Sequence, residues 1–257
     1  MNKTKIEYLD YTWNPIVGCS GVGCAVAGAC WAKGQAKRQK PGVDKNGRDR
    51  GCQDCYDFKP HLHAGRLIQP FTAAVPPSRI GVCFMGDLFD DKVQVDWTQR
   101  IFETMQLAGM HTFICLTKQA HNLVRKETPK FPRNVWMGVS VNRVCDTERI
   151  DYLRRCGAAV KFVSFEPLFE DVSQWWQGLP CSRGHFELDL SGIDWIIIGA
   201  QKRPDVQPKK KWVANLIQAA DRAGCKIFMK NNLACRVELE YALNRGFEEI
   251  PEVKRHD

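Results

Sequence analysis

The chain is 257 residues long, 44% hydrophobic and 26% charged, a composition that can bury one large core and excludes a low-complexity protein. It has no run of about eighteen apolar residues, and its opening MNKTKIEYLD lacks the basic-then-apolar pattern of an export signal, so a cytoplasmic location without membrane association is expected. Its 37 Lys and Arg against 29 Asp and Glu give a formal net charge of +8, concentrated in residues 33–50 and at Lys209, Lys210 and Lys211; the 33–50 loop is either a solvated surface or a contact for nucleic acid, its expected partner.

Twelve cysteines in a chain read as intracellular argue for metal ligation rather than a disulfide scaffold, and five come early. Cys19, Cys24 and Cys30 lie in GCSGVGCAVAGACWAK, and Cys52 and Cys55 in RGCQDCYDF beyond the basic loop. Clustered thiolates select zinc, copper(I) or an iron–sulfur centre, and neighbouring small residues let the backbone wrap the metal. Cys24, Cys30, Cys52 and Cys55 form two arms about twenty residues apart, as a closed tetrahedral zinc site requires. With the basic loop they would make a zinc-stabilised nucleic-acid-binding protein without catalysis. His61 and His63 flank a leucine after the last pair and, with no third partner evident, are expected to be structural. Cys83, Cys115, Cys145, Cys156, Cys181, Cys225 and Cys235 lack ligand spacing and are expected to be small core hydrophobes.

Beyond the cysteines the chain alternates. IGVCF at 80–84 reads as a strand, followed by a helix with Trp97, Ile101, Met105 and Ala108 on one face. FICL at 113–116 precedes a helix-like stretch around 120–126. VWMGVSV at 135–141 precedes DTERIDYLRRCG, which opens on Asp and closes on Arg and Gly as helix ends prefer. VKFVSF at 160–165 follows, then a long connection at 171–192 containing Trp175, Trp176 and His185, expected to be a lid or a surface excursion. WIIIG at 195–199, the helix KKKWVANLIQAADRAG, KIFM at 226–229 and a terminal helix in VELEYALNRG complete the chain. Six near-continuous apolar strands, seven with one near 11–17, predict an α/β fold with a parallel sheet: a full or partial (βα) barrel over residues 1–231 and a helical tail at 232–257, with a doubly wound sheet as rival. Asp87, Thr117, Lys118, Asn142, Glu166, Gln201, Lys230 and Asn231 each follow a strand, where a parallel barrel builds its active site.

The phrases IEYLDYTWNPIVGCSGVGC, CWAKGQAKR, FMGDLFDD, HTFICLTK, NVWMGVSV, KFVSFEPL and DWIIIGA run in this order from about residue 6 to residue 232. They resemble the phage-associated three-cysteine-motif proteins, a family of unknown function similar to radical S-adenosylmethionine (SAM) enzymes. The resemblance implies a radical SAM-like barrel of the TIM type, in which three thiolates hold a [4Fe–4S] cluster and SAM chelates its open iron. The cluster would cleave SAM to a 5′-deoxyadenosyl radical, with modification or repair of nucleic acid as the suggested use. The triad is Cys19, Cys24 and Cys30, or else Cys19, Cys52 and Cys55. The first is preferred because CWAKGQAKR resembles the segment after the family's third cysteine, while Cys52 and Cys55 lie in what resembles an insertion. By the same resemblance Gly86 and Asp87 would meet the SAM amino group, Ser140 and Asn142 its ribose or carboxylate, and Gly199 its adenine. Lys118, Glu166 and Lys230 are the candidate catalytic residues.

Overall fold

The computed structural model describes residues 1–38, 40–43, 49–50, 52–72, 74–176 and 185–252. Cys181, the tip of the 171–192 connection and part of the basic loop lie outside the described residues. The chain divides into two compact units, Met1–Met137 with Cys156–Ala159, and Gly138–Arg155 with Val160–Asp257.

The first unit carries β1 (Asn2–Lys3), β2 (Tyr11–Trp13), β3 (Ile16–Val17), β4 (His61–Leu62), β5 (Arg79–Val82) and β6 (Thr112–Thr117), with helices α1 (Trp31–Ala36), α2 (Gln53–Asp57) and α3 (Val95–Leu107). Strand β7 (Val135–Ser140) begins in this unit and ends in the second, which adds β8 (Val160–Phe165), β9 (Trp195–Ile198), β10 (Lys226–Met229), α4 (Arg149–Arg155), α5 (Lys210–Ala223) and α6 (Arg236–Leu243). The hydrogen-bonded order is β1-β2-β5-β6-β7-β8-β9-β10, an eight-stranded sheet. Strand β1 runs antiparallel to β2, and the pairs β2–β5, β5–β6, β8–β9 and β9–β10 are parallel. The fold is therefore α/β with a mostly parallel sheet; no pairing of β10 with β1 closes a barrel among the described residues.

Burial explains why these segments are strands. Every residue of β7 and of β9 is buried, the condition under which near-continuous runs such as VWMGVS and WIII suit a parallel sheet covered on both faces. Helix α5 turns Val213, Leu216, Ile217 and Ala220 inward at helical spacing and ends at Gly224, whose φ of 70° only glycine adopts at little cost.

Three expectations need correction. The strand foreseen near 11–17 is two short strands, broken at Asn14 and Pro15, where the Asn14 side-chain oxygen accepts the Met85 N–H at 2.9 Å. The helix-like stretch at 120–126 is a single 3-10 turn, Ala120–Val124. Among the scattered cysteines, Cys83, Cys115, Cys156 and Cys225 are buried as expected, but Cys145 is exposed and Cys235 half-buried. The long connection forms an antiparallel hairpin of Gln174–Trp176 against His185–Glu187. No helix among the described residues is long and apolar enough to cross a membrane.

Candidate metal centre

The residues at 52–63 fold on themselves for local reasons. Cys52 precedes α2 and Cys55 follows three residues later, which puts both thiols on one side of the first turn. The helix stops at Phe58, a left-handed residue with φ 58°, and the Lys59 N–H closes the turn on the Asp54 carbonyl at 2.9 Å. The chain then enters β4, which pairs with β3 so that His61 lies opposite Val17 and Leu62 opposite Ile16. Positions two apart on an extended chain share a side, so His61 and His63 turn together toward α2 while Leu62 faces away.

The result is four ligand atoms within 4.8 Å of one another: Cys52 Sγ, Cys55 Sγ, His61 Nε2 and His63 Nε2. His61 Nε2 lies 3.5 Å from Cys52 Sγ and 3.4 Å from Cys55 Sγ; His63 Nε2 lies 3.2 Å from Cys55 Sγ and 2.9 Å from His61 Nε2. A tetrahedral zinc ion with bonds of about 2.3 Å to sulfur and about 2.0 Å to nitrogen would set the S–N edges at roughly 3.5 Å and the N–N edge at roughly 3.3 Å. The donors are already near that tetrahedron. His61 Nδ1 sits 2.8 Å from the Lys59 carbonyl, to which it donates when its proton is there, leaving Nε2 with a free lone pair. Burial, then the Arg66 cation and His61, lowers His63 to about 4, so it is a neutral ligand at pH 7. Burial and the neighbouring Cys52 push the Cys55 thiol up to about 11, a cost that a divalent cation removes by binding the thiolate. This group can bind a metal. His61 and His63 are thus corrected from structural residues to candidate ligands, and the Cys24, Cys30, Cys52, Cys55 set is corrected because two histidines stand where Cys24 and Cys30 were expected. A His-x-His at strand period, beginning six residues after the Cys-x-x-Cys, was the signal available in the sequence.

Cys19, Cys24 and Cys30 lie outside that group. Cys19 and Cys30 both pack against a small cluster of Ala32, Ala36 and Phe58, together with Met85. Burial raises the Cys19 thiol to about 11, with the Asp87, Asp90 and Cys30 charges adding to it. Cys30 caps α1, its sulfur accepting the Lys33 N–H at 3.5 Å, and Cys24 sits half-buried in the turn between. The segment is pinned at Ser20, whose N–H and hydroxyl both donate to Asp90 Oδ2 at 2.7 Å, while the Gln119 amide donates to the same oxygen at 2.7 Å.

Gly86 lies against Gly18, where a Cβ on Gly86 would stand 2.5 Å from the Gly18 carbonyl oxygen. Asp87 is buried, and its carboxylate accepts from Thr117 Oγ1 at 2.7 Å, Lys118 N at 2.9 Å and Phe89 N at 3.0 Å. Burial raises its pKa against the pull of those bonds. Lys118 thus reaches Asp87 through its backbone.

In the second unit the ends of β8, β9 and β10 bring Glu166, Gly199 and Lys230 together. Lys230 Nζ forms an ion pair with Glu166. Gly199 gives them room, since a Cβ there would lie 2.9 Å from Glu166 Cγ and 3.2 Å from Lys230 Cδ. Asn142 donates to the Pro167 carbonyl at 2.7 Å, and Ser140 Oγ and Asn142 Oδ1 are buried with no hydrogen-bond partner among the described residues.

Neither curated proteins nor solved structures provide a match to this chain. A family model does match, over residues 3–238, and it carries the description "Protein of unknown function (DUF5131)". The chain, with its Cys/His group inside the matched region, belongs to that family.

Proposed function

We propose that the protein is a two-centre metalloenzyme of the radical SAM type, with a structural zinc ion at Cys52, Cys55, His61 and His63 and a [4Fe–4S] cluster on Cys19, Cys24 and Cys30. One observation carries the proposal: residues 52–63 supply four ligand atoms by themselves, which completes a closed zinc shell and leaves the three earlier thiols outside it. Three thiolates are what a cluster with one open iron requires, and two of them, both half-buried, pack against the same small apolar cluster. When bound, cluster and SAM would supply the radical chemistry. The chain's own contribution is to hold Cys19 through Ser20 and Asp90, and to seat Cys30 at the head of α1.

A partial barrel agrees with the strand order. In each unit the parallel strands follow one another in chain order, β2-β5-β6 and β8-β9-β10, without the reversal that a doubly wound sheet needs. Nucleic acid fits the exposed cations of α1 and the residues after it: Lys33, Lys37, Arg38 and Lys40.

The test is metal analysis of anaerobically purified, reconstituted protein. About four irons and about one zinc per chain are expected. Cys19→Ala, Cys24→Ala or Cys30→Ala should remove iron and spare zinc, and Cys52→Ala or His63→Ala should do the reverse. Iron that depends on Cys52 and Cys55 would overturn the assignment. Zinc without iron would reduce the protein to the zinc-stabilised nucleic-acid binder, the second reading that the Cys/His group favours.

A further inference from the structure

We propose that metal binding at Cys52, Cys55, His61 and His63 sets the conformation of the Cys19 segment through the contact between Gly18 and Lys59. The inference rests on the zinc reading and deepens it, giving the site a task beyond local folding.

Lys59 joins the two sets of cysteines. Its carbonyl accepts from His61 Nδ1 at 2.8 Å, so the ring that offers Nε2 to the metal is oriented by this peptide. Gly18 lies against the same carbonyl: a Cβ on Gly18 would sit 2.3 Å from the Lys59 oxygen and 2.8 Å from the Phe58 carbonyl carbon. Gly18 also has φ 88°, so the contact and the turn both demand glycine. From Gly18 the chain passes directly to Cys19. The Gly18 N–H donates to the Met85 carbonyl at 3.0 Å, and Gly18 bridges Gly86. Residue 17, one step earlier, pairs with His61 itself. Phe58, which ends the ligand-bearing helix, supplies the wall on which Cys19 and Cys30 pack. Fixing His61 and Cys55 on one ion therefore fixes the Lys59 peptide and the Phe58 ring, and with them the surface that Cys19 rests on. Without the ion, two thiols and two imidazoles crowd within 4.8 Å with no charge to hold them, and the 55–61 turn is free to open.

The experiment uses the full chain, stripped of metal and kept reduced under argon, with zinc ion as the added probe. Alkylation of each cysteine by iodoacetamide is followed by peptide mass spectrometry. One equivalent of zinc should protect Cys52 and Cys55 by ligation and slow Cys19 labelling by about tenfold, the effect of suppressing a local opening. Cys235, half-buried in the second unit, should label at an unchanged rate. In Gly18→Ala, zinc should still protect Cys52 and Cys55 while its effect on Cys19 disappears; circular dichroism checks that this variant is folded, and the wild-type titration stands if it is not. Protection of Cys52 and Cys55 with no change at Cys19 would overturn the coupling and leave the zinc site intact. Cys52 and Cys55 remaining reactive would overturn the zinc reading and the coupling with it. Protection of Cys19 in His61→Ala while Cys52 and Cys55 are left reactive would show zinc binding the earlier thiols directly, and would also overturn the proposal.

Discussion

Asp87 shows how much one buried carboxylate can organise. Three donors converge on it, and one of them, the Thr117 hydroxyl, in turn accepts the Gln119 N–H at 2.9 Å. Asp87→Ala would strand all three in the interior, an expected loss of about 3 kcal/mol or more, whereas Thr117→Val removes one donor and the acceptor of the Gln119 N–H and should cost about 2 kcal/mol. Urea unfolding of the two variants gives the comparison; equal costs would mean that the carboxylate is not the hub of this turn. His63 makes a different demand, because its folded-state pKa of about 4 lies below the ordinary 6.5. In the metal-free protein the unfolded chain therefore takes up a proton first as pH falls. The contribution of His63 to stability is present above pH 6.5 and is lost progressively as pH drops toward 4. The urea midpoint of metal-free protein should fall between pH 7 and pH 5 more steeply for the wild type than for His63→Gln. Parallel slopes would contradict the burial of this imidazole.

At the scale of elements, two glycines, one in β7 and one just after β9, make opposite predictions. A Cβ on Gly138 in β7 would stand 2.3 to 2.6 Å from three atoms of the Phe162 ring, which is fully buried and has nowhere to move. Gly138→Ala should cost about 1 to 3 kcal/mol by overpacking, and Phe162→Leu in the same chain should recover part of it. A Cβ on Gly199 meets only flexible stems, those of Glu166 and Lys230. Gly199→Ala should therefore shift the unfolding free energy by about 1 kcal/mol or less while loosening the ion pair. Costs in the reverse order would show that the β7–β8 face is the softer one. The strands themselves were legible: VKFVSF and KIFM are β8 and β10 to the residue, because a strand buried on both faces must be written as an apolar run. His61 and His63 carried only a spacing signal and were harder to read as ligands. Their partnership with Cys52 and Cys55 depends on a left-handed turn at Phe58, a residue with no sequence preference for one, and on β4 finding β3 more than forty residues earlier.

For the whole molecule, the α/β class and the mostly parallel sheet followed from strand–helix alternation, but the handling of its far edge did not. A tail read only as a helix goes on past α6 to line β10: the Met229 N–H donates to the Phe247 carbonyl at 2.7 Å and the Glu249 N–H to the Ile227 carbonyl at 3.1 Å. A single bridge pair is too short to print a strand signal, yet it covers an edge that would otherwise offer free backbone groups to another chain. Charge acts at the same scale. The formal net charge of +8 draws any polyanion weakly to the whole surface, so binding alone would not single out a site. The salt dependence does. If Lys33, Arg38 and Lys40, all exposed, each touch a phosphate, changing all three to Gln should lower the slope of log K against log salt by about 2.7 on duplex DNA and about 2 on a single strand, since each lost contact removes about 0.9 or about 0.7. Lys37 is best left in place, because its ammonium lies 4.2 Å from the centre of the Tyr56 ring and its loss would disturb α2 as well. Changing Lys209, Lys210 and Lys211 to Gln instead removes the same charge from the second unit. If both triple variants lose affinity equally and keep the wild-type slope, the attraction is diffuse and the 33–50 loop is an ordinary solvated surface. A slope that falls only for the first locates the phosphate contacts on α1 and the residues just after it, beside Cys30.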